Sequence, residues 1–412
     1  MSAPSSWRNL VFVSIASLLA MSLWFSGTVV LPELRRFWDA DLGLSSWLTM
    51  AVQIGFVAGG LLSAALNLPD RFSAIRVCVI SSVAAAGVNA VFAVVAAQHI
   101  TAALALRFLT GAFLAGVYPP AMKILAGWYR EGRGTALGIL VGALTVGSAL
   151  PHGVRAAGDL PWRAVVLSCS AFALAAAALF HWGVEEGPYS TPQQPLDLGQ
   201  LKEVIRNRPL RLANLGYLGH MWELYSMWGW IALLLGASAG KSSQSVAAAS
   251  FLAIAIGAVG CVWAGHASDA ALSPWASTRV SQRANVTIVA MAVSGACCLL
   301  AAAVFRNFWA LAAVCLVWGI AVVADSAQFS TLVSEVSDPR YVGTALTVQT
   351  VLGFLLTVFS IRAVGSIGSE YGWQWAAASM AIGPALGIIA MWRLAGLSKS
   401  IPTYPARPAS QT

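Results

Sequence analysis

The chain is poor in charge. Of its 412 residues only 10% are Asp, Glu, Lys or Arg, while 58% are apolar; a soluble globular chain carries about 25% charge. Water is therefore excluded as the main solvent of the folded protein. Cysteine is scarce and chemically idle. Cys78, Cys169, Cys261, Cys297, Cys298 and Cys315 all sit in apolar runs without metal-ligand spacing, where a free thiol behaves as a small hydrophobe. Also missing are a His-Glu-x-x-His pair and a Gly-x-x-x-x-Gly-Lys-Ser/Thr loop, which argues against a zinc hydrolase and a nucleotide-driven pump. No cofactor, metal or enzymatic activity is expected. A basic start followed by a short apolar core and a small-residue cleavage site is lacking too, so the N-terminus is expected to be retained, with Leu10 to Leu31 inside a first span.

What the chain has in abundance is long apolar runs. Stretches of about 20 apolar residues are enough to cross about 30 Å of hydrocarbon. They occur at 9–31, 45–66, 73–95, 101–124, 134–156, 163–183, 211–237, 246–268, 284–305, 308–331, 343–365 and 372–395. The expected fold class is an all-α integral membrane protein of twelve helices in two pseudo-symmetric six-helix bundles. The division falls at 1–184 for the first bundle, 185–210 for a central loop, 211–397 for the second bundle and 398–412 for a tail. Within the central loop, Leu201 to Arg208 reads as an amphipathic surface helix.

The formal charge of +8 resides in short loops, which speaks for membrane orientation rather than nucleic-acid binding. With both termini in the cytoplasm, sixteen of the 24 Lys and Arg lie on the inner side, among them Arg71, Arg76, Lys123, Arg208, Arg211 and Arg393, seven on the outer side, and Arg107 within a span. Cytoplasmic loops are the basic ones, so this orientation is expected, in a bacterial inner membrane.

The halves echo each other. Gly134-Thr135-Ala136-Leu137 opens the fifth span and Gly343-Thr344-Ala345-Leu346 the eleventh; Pro161-Trp162-Arg163 precedes the sixth much as Gly372-Trp373-Gln374-Trp375 opens the twelfth. Parallel six-helix repeats are a transporter architecture in which the solute path runs between the halves.

At this level the chain resembles the major facilitator superfamily over nearly its whole length. The loop after the second span carries Asp70, Arg71 and Arg76 in the family's pattern, with Leu66 and Ser73 where the family has glycine. Its counterpart in the second half keeps Gly265 and Asp269 but has no following Arg. The resemblance implies that these five residues latch an access state. Leu106-Arg107-Phe108-Leu109-Thr110-Gly111 matches the fourth span. Trp128-Tyr129-Arg130-Glu131-Gly132-Arg133-Gly134 looks like a loop of organic-anion symporters in the superfamily. The fifth span is glycine-rich, but Leu150 rather than Gly precedes Pro151, so it departs from the family's antiporter signature.

A charge inside hydrocarbon costs several kcal/mol and so usually has a use. Glu223 stands about 12 residues into the seventh span, roughly 18 Å deep at 1.5 Å per residue, which makes it the first candidate for proton coupling. His220 lies one turn earlier on the same face, at i and i+3, where the two side chains could share a proton. Asp325 is the second acidic candidate, placed nearer the inner side. Arg107, about six residues or roughly 9 Å into its span, suits a solute carboxylate through bidentate bonds. Trp222, Tyr225 and Tyr217 make the seventh span aromatic enough to stack on a planar solute, and Gln53 and Gln349 are expected to line the path as neutral hydrogen-bonding groups. Tyr118-Pro119-Pro120 is expected to kink the fourth helix.

The function that follows is proton-coupled uptake of a small organic solute, an organic anion or planar polar metabolite, by alternating access. Proton-driven efflux of drugs or metabolites is the alternative, and a non-transporting membrane sensor or receptor is the reading from another class. The expected partners are the small-molecule substrate, protons and the lipid bilayer, with the protein acting as a monomer and no nucleic acid involved.

Overall fold

The computed structural model describes residues 3–66, 68–129, 132–158, 160–189, 199, 201–238, 242–270, 273–274, 276–338 and 341–401. Ten helices in it are long and apolar enough to cross a membrane: Leu42–Leu66, Ala74–Val95, Ile100–Ala126, Gly134–Ala156, Trp162–Gly183, Ser243–Ser268, Arg279–Ala303, Phe308–Val336, Val342–Glu370 and Trp373–Ser400. Two more complete the twelve, and each is shorter or more polar for a physical reason. The first span begins as the apolar helix Ala3–Met21 but breaks there and continues as Ser26–Val29 and Leu31–Trp38. The seventh, Arg208–Ala237, is 30 residues long but is diluted by Asn214, His220, Glu223 and three tryptophans. These are the opening helices of the two halves.

Packing repeats with a period of six helices. The first span packs on the sixth and fifth, and the seventh on the twelfth and eleventh; the third packs on the sixth, and the ninth on the twelfth. The second span lies against the fourth, as the eighth lies against the tenth. Glycine permits both of these close approaches. A Cβ on Gly55 would stand 1.9 Å from the Phe108 carbonyl oxygen, and one on Gly319 would stand 1.6 Å from that of Ala253. In a bilayer, where hydrophobicity does not drive helices together, such backbone proximity supplies the van der Waals contact that holds them. The halves meet along two seams that are themselves related by the repeat, second span on eleventh and fifth on eighth.

Several spans are broken, and most breaks have a local cause. Pro119 and Pro120 lack the N–H groups that would bond the carbonyls four residues earlier, and the fourth span accordingly separates into Ile100–Leu114 and Tyr118–Ala126. Pro384 acts likewise where Trp373–Met380 gives way to Ile382–Leu397. The break after Met21 has no proline or glycine to announce it. There Ser22 Oγ donates to Leu19 O at 2.7 Å, Ser26 Oγ to Leu23 O at 2.9 Å, and Arg107 Nη2 to the same Leu23 O at 3.0 Å. Side chains thus satisfy carbonyls that a continuous helix would have used. A short surface helix, Leu201–Arg206, precedes the seventh span, close to the amphipathic segment expected there.

Candidate functional site

A cavity of about 810 Å³ lies between the halves. It runs inward from the end of the molecule that carries the loops after the second, fourth, sixth and tenth spans, called here the basic end. Lys123, Tyr129 and Tyr189 border it at that end, and Tyr217, His220 and Tyr225 line it deeper in. Tyrosines, serines and threonines supply most of its polar groups, and no Asp or Glu is among its described lining residues.

An aromatic ceiling closes the cavity. Trp24 and Phe56 from the first half meet Phe354 and Tyr225 from the second: ring centroids are 4.9 Å apart for Trp24 and Phe56, 4.8 Å for Phe56 and Phe354, 5.7 Å for Trp24 and Phe354, and 5.8 Å for Trp24 and Tyr225. Trp228 and Phe25 extend the cluster, with centroids 6.1 Å apart. Beyond the ceiling Thr28 and Thr49 share a hydrogen bond of 2.7 Å, and at the far end Gln244 Nε2 of the eighth span donates to Ala156 O of the fifth at 2.9 Å. Arg362 crosses from the eleventh span to lie against Gly43, so that a Cβ there would stand 2.2 Å from Nη1. Arg155 pairs with Glu33 at the same end. The geometry is that of a carrier open at its basic end and shut at the other.

His220 is the imidazole that the seventh span presents to the cavity beside Tyr217 and Tyr225, and both of its nitrogens have a polar neighbour. Nδ1 is 2.8 Å from Asp325 Oδ1, and Nε2 is 2.9 Å from Ser326 Oγ. Asp325 occupies the break between Phe308–Ala324 and Ser326–Val336, and Ser326 opens the second segment, so the interruption in the tenth span places an acid and a hydroxyl side by side. Asp325 is thus the acidic neighbour of a cavity-lining imidazole.

Glu223 turns away from the cavity. Its Oε1 accepts from Trp318 Nε1 at 2.6 Å and from Cys298 Sγ at 3.2 Å, and its Oε2 accepts from Ser294 Oγ at 2.9 Å. The i, i+3 spacing predicted a proton shared between His220 and Glu223; instead each has its own partners, because the ninth and tenth spans insert donors on the side that Glu223 faces.

Arg107 is equally sealed, inside the first half. Its Nη1 donates to Ser26 Oγ at 2.8 Å and Asn89 Oδ1 at 3.0 Å, its Nη2 to Leu23 O at 3.0 Å, and the guanidinium sits 5.2 Å from the Phe92 ring centroid. Every one of these oxygen partners is neutral. The spacing argument aimed Arg107 at a solute carboxylate, but it is absent from the cavity lining and braces the broken first span. The two clusters are counterparts. Arg107 joins the fourth, third and first spans as the Trp318–Glu223 cluster joins the tenth, ninth and seventh, so one half buries a cation among neutral acceptors and the other a carboxyl group among neutral donors.

The remaining predicted residues divide. Tyr217 and Tyr225 line the cavity, whereas Trp222 faces Phe359 at 5.9 Å. Gln53 is fully buried with neither side-chain atom bonded among the described residues, and Gln349 Nε2 donates to Phe329 O at 3.4 Å; neither lines the cavity. Arg71 and Arg76 are exposed. Gly265 packs near Gly134, where a Cβ would stand 3.3 Å from its carbonyl oxygen. The side chains of Asp70 and Asp269 lie outside the described residues. Sequence reasoning missed Trp24, Phe56, Phe354 and Ser326. One signal was available, since Ser22-Leu23-Trp24 repeats as Ser226-Met227-Trp228 at corresponding points of the opening helices. Among the described residues no group of three or more His, Cys, Asp or Glu is placed to hold a metal ion.

The sequence profile of the Major Facilitator Superfamily matches residues 13–274. No curated protein matches the chain by sequence. Among solved structures, a bacterial homolog to the human lysosomal transporter Spinster, in an inward-facing and unoccupied conformation, is similar with a TM-score of 0.71 at 14% identity. That match covers 98% of this chain and 100% of the other. The same description in an inward-facing and occupied conformation gives 0.66 at 16% identity over 97% and 98%. At such identities the likeness concerns the fold.

Proposed function

Because the chain belongs to the Major Facilitator Superfamily, it is a secondary transporter working by alternating access, and we propose that it couples proton movement to the uptake of a small organic anion with a planar body. The observation that carries this reading is the pairing of His220 with Asp325 and Ser326 on the wall of a cavity whose described lining contains no carboxylate. Histidine gains and loses charge around physiological pH. Protonated, the imidazole neutralises the Asp325 carboxylate 2.8 Å away and so lets an anion enter the cavity. Neutral, it releases the solute and leaves its Nε2 to the Ser326 hydroxyl. Proton and anion then travel together because each favours binding of the other, which is the reciprocity that coupling requires. Tyr217 and Tyr225 supply faces for a planar solute.

The basic end is assigned to the cytoplasm by its excess of Lys and Arg, in the inner membrane of a bacterium, so the cavity is open inward. Glu223, held by Trp318, Cys298 and Ser294 within the second half, is the second proton-exchanging group of the proposal. The test is solute accumulation in proteoliposomes under an imposed proton gradient. His220→Gln, which cannot take up the proton, is expected to abolish gradient-driven accumulation and to weaken solute binding at every pH. Accumulation that survives unchanged in both His220→Gln and Glu223→Gln removes the coupling assignment.

A further inference from the structure

A second groove, of about 420 Å³, opens on the outer surface of the second half at the basic end, away from the solute cavity. Its polar border is Arg208, Arg211 and Arg393, drawn from the start of the seventh span and the end of the twelfth. All three are exposed. Its floor is apolar, formed by Leu212, Leu215 and Leu218 of the seventh span with Val348 and Leu352 of the eleventh, and the surface helix Leu201–Arg206 contributes Val204 and Ile205. No Asp or Glu is among its described lining residues.

We propose that this groove binds one anionic phospholipid of the surrounding leaflet, its phosphate held by the three arginines and an acyl chain laid along the leucine floor. Three observations support the assignment. Arginine forks match phosphate oxygens in bidentate geometry, and three converge here without a described carboxylate among the lining to neutralise them. The floor faces outward, with Leu215 53% and Leu352 45% exposed, as lipid-contacting side chains must be. Its depth also fits. From Arg208 to Leu218 the helix climbs about 15 Å at 1.5 Å per residue, which is one leaflet of a core about 30 Å thick. Asn214 adds a polar side chain whose Oδ1 has no hydrogen-bond partner among the described residues, an acceptor suited to a headgroup hydroxyl.

Free phosphate would use the arginines alone, whereas a lipid needs floor and arginines together. Native mass spectrometry of the detergent-purified full chain, titrated with phosphatidylglycerol, phosphatidylcholine or inorganic phosphate, separates the cases. Each basic residue near an anionic headgroup contributes about 1 kcal/mol, or about fivefold in affinity. One tight phosphatidylglycerol site is expected, weakened roughly 100-fold in the Arg208→Gln, Arg211→Gln, Arg393→Gln triple variant and unaltered by Arg306→Gln, a basic residue outside the groove. Leu215→Trp, which fills the floor and keeps the arginines, is expected to weaken the lipid but not phosphate. Equal binding of phosphatidylglycerol and phosphatidylcholine to the unmodified protein, or competition by millimolar phosphate, overturns the proposal even if the triple variant fails to fold. Undiminished binding in a folded triple variant does the same.

Discussion

Replacing Phe354 with alanine should unlock the closed end of the carrier. The ring touches Trp24 at 5.7 Å and Phe56 at 4.8 Å across the seam between halves, and Tyr225 at 5.2 Å within its own half. Opening the ceiling separates the first two contacts and spares the third, so only the cross-seam pairs bias the equilibrium. Aromatic pairs contribute about 0.5–1.5 kcal/mol each beyond area burial, and losing two removes about 1–3 kcal/mol from the closed state. That shifts the population by about 5- to 150-fold. A reporter is available in Thr49→Cys, two helical turns beyond Phe56 and 2% exposed, because all six native cysteines are buried. Its rate of modification by a membrane-impermeant maleimide should rise at least about fivefold when Phe354→Ala is added. A rate within about twofold of the parent would refute the view that these rings hold the far end shut.

Two further outcomes follow from the packing and the buried carboxyl group. Gly319→Ala places a methyl group 1.6 Å from a backbone oxygen, whereas Gly87→Ala meets nothing within 4 Å; thermal unfolding in detergent should show the first destabilised by about 1–3 kcal/mol and the second unchanged. Trp318→Phe keeps an aromatic ring but deletes the donor 2.6 Å from Glu223 Oε1, and should cost about 1.5–3 kcal/mol if that carboxyl group is ionised in the folded protein; an unaltered denaturation midpoint would show the bond to be dispensable.

Much of the architecture is legible in the chain because a bilayer imposes local rules. A span must satisfy its own backbone and present apolar side chains for about 20 residues, so the expected runs fall within a few residues of the helices. The exceptions are instructive. The first span was read as one unbroken run; no proline or glycine between Met21 and Phe25 warns otherwise, and the break depends on donors from Ser22, Ser26 and the distant Arg107. The seventh span announced itself by its polar and aromatic residues, yet which of them meets the cavity did not follow from their spacing. Tyr217, His220 and Tyr225 do, while Trp222 and Glu223 turn elsewhere.

Sequence alone settled the solvent, the number of spans and the repeat, because hydropathy, length and internal likeness are properties of single segments. The tertiary structure decided which charges meet. His220 finds Asp325 across 105 residues, Glu223 finds Trp318 across 95, and Arg107 finds Ser26 across 81. Those encounters depend on how helices rotate against one another, and no local pattern along the chain encodes that rotation.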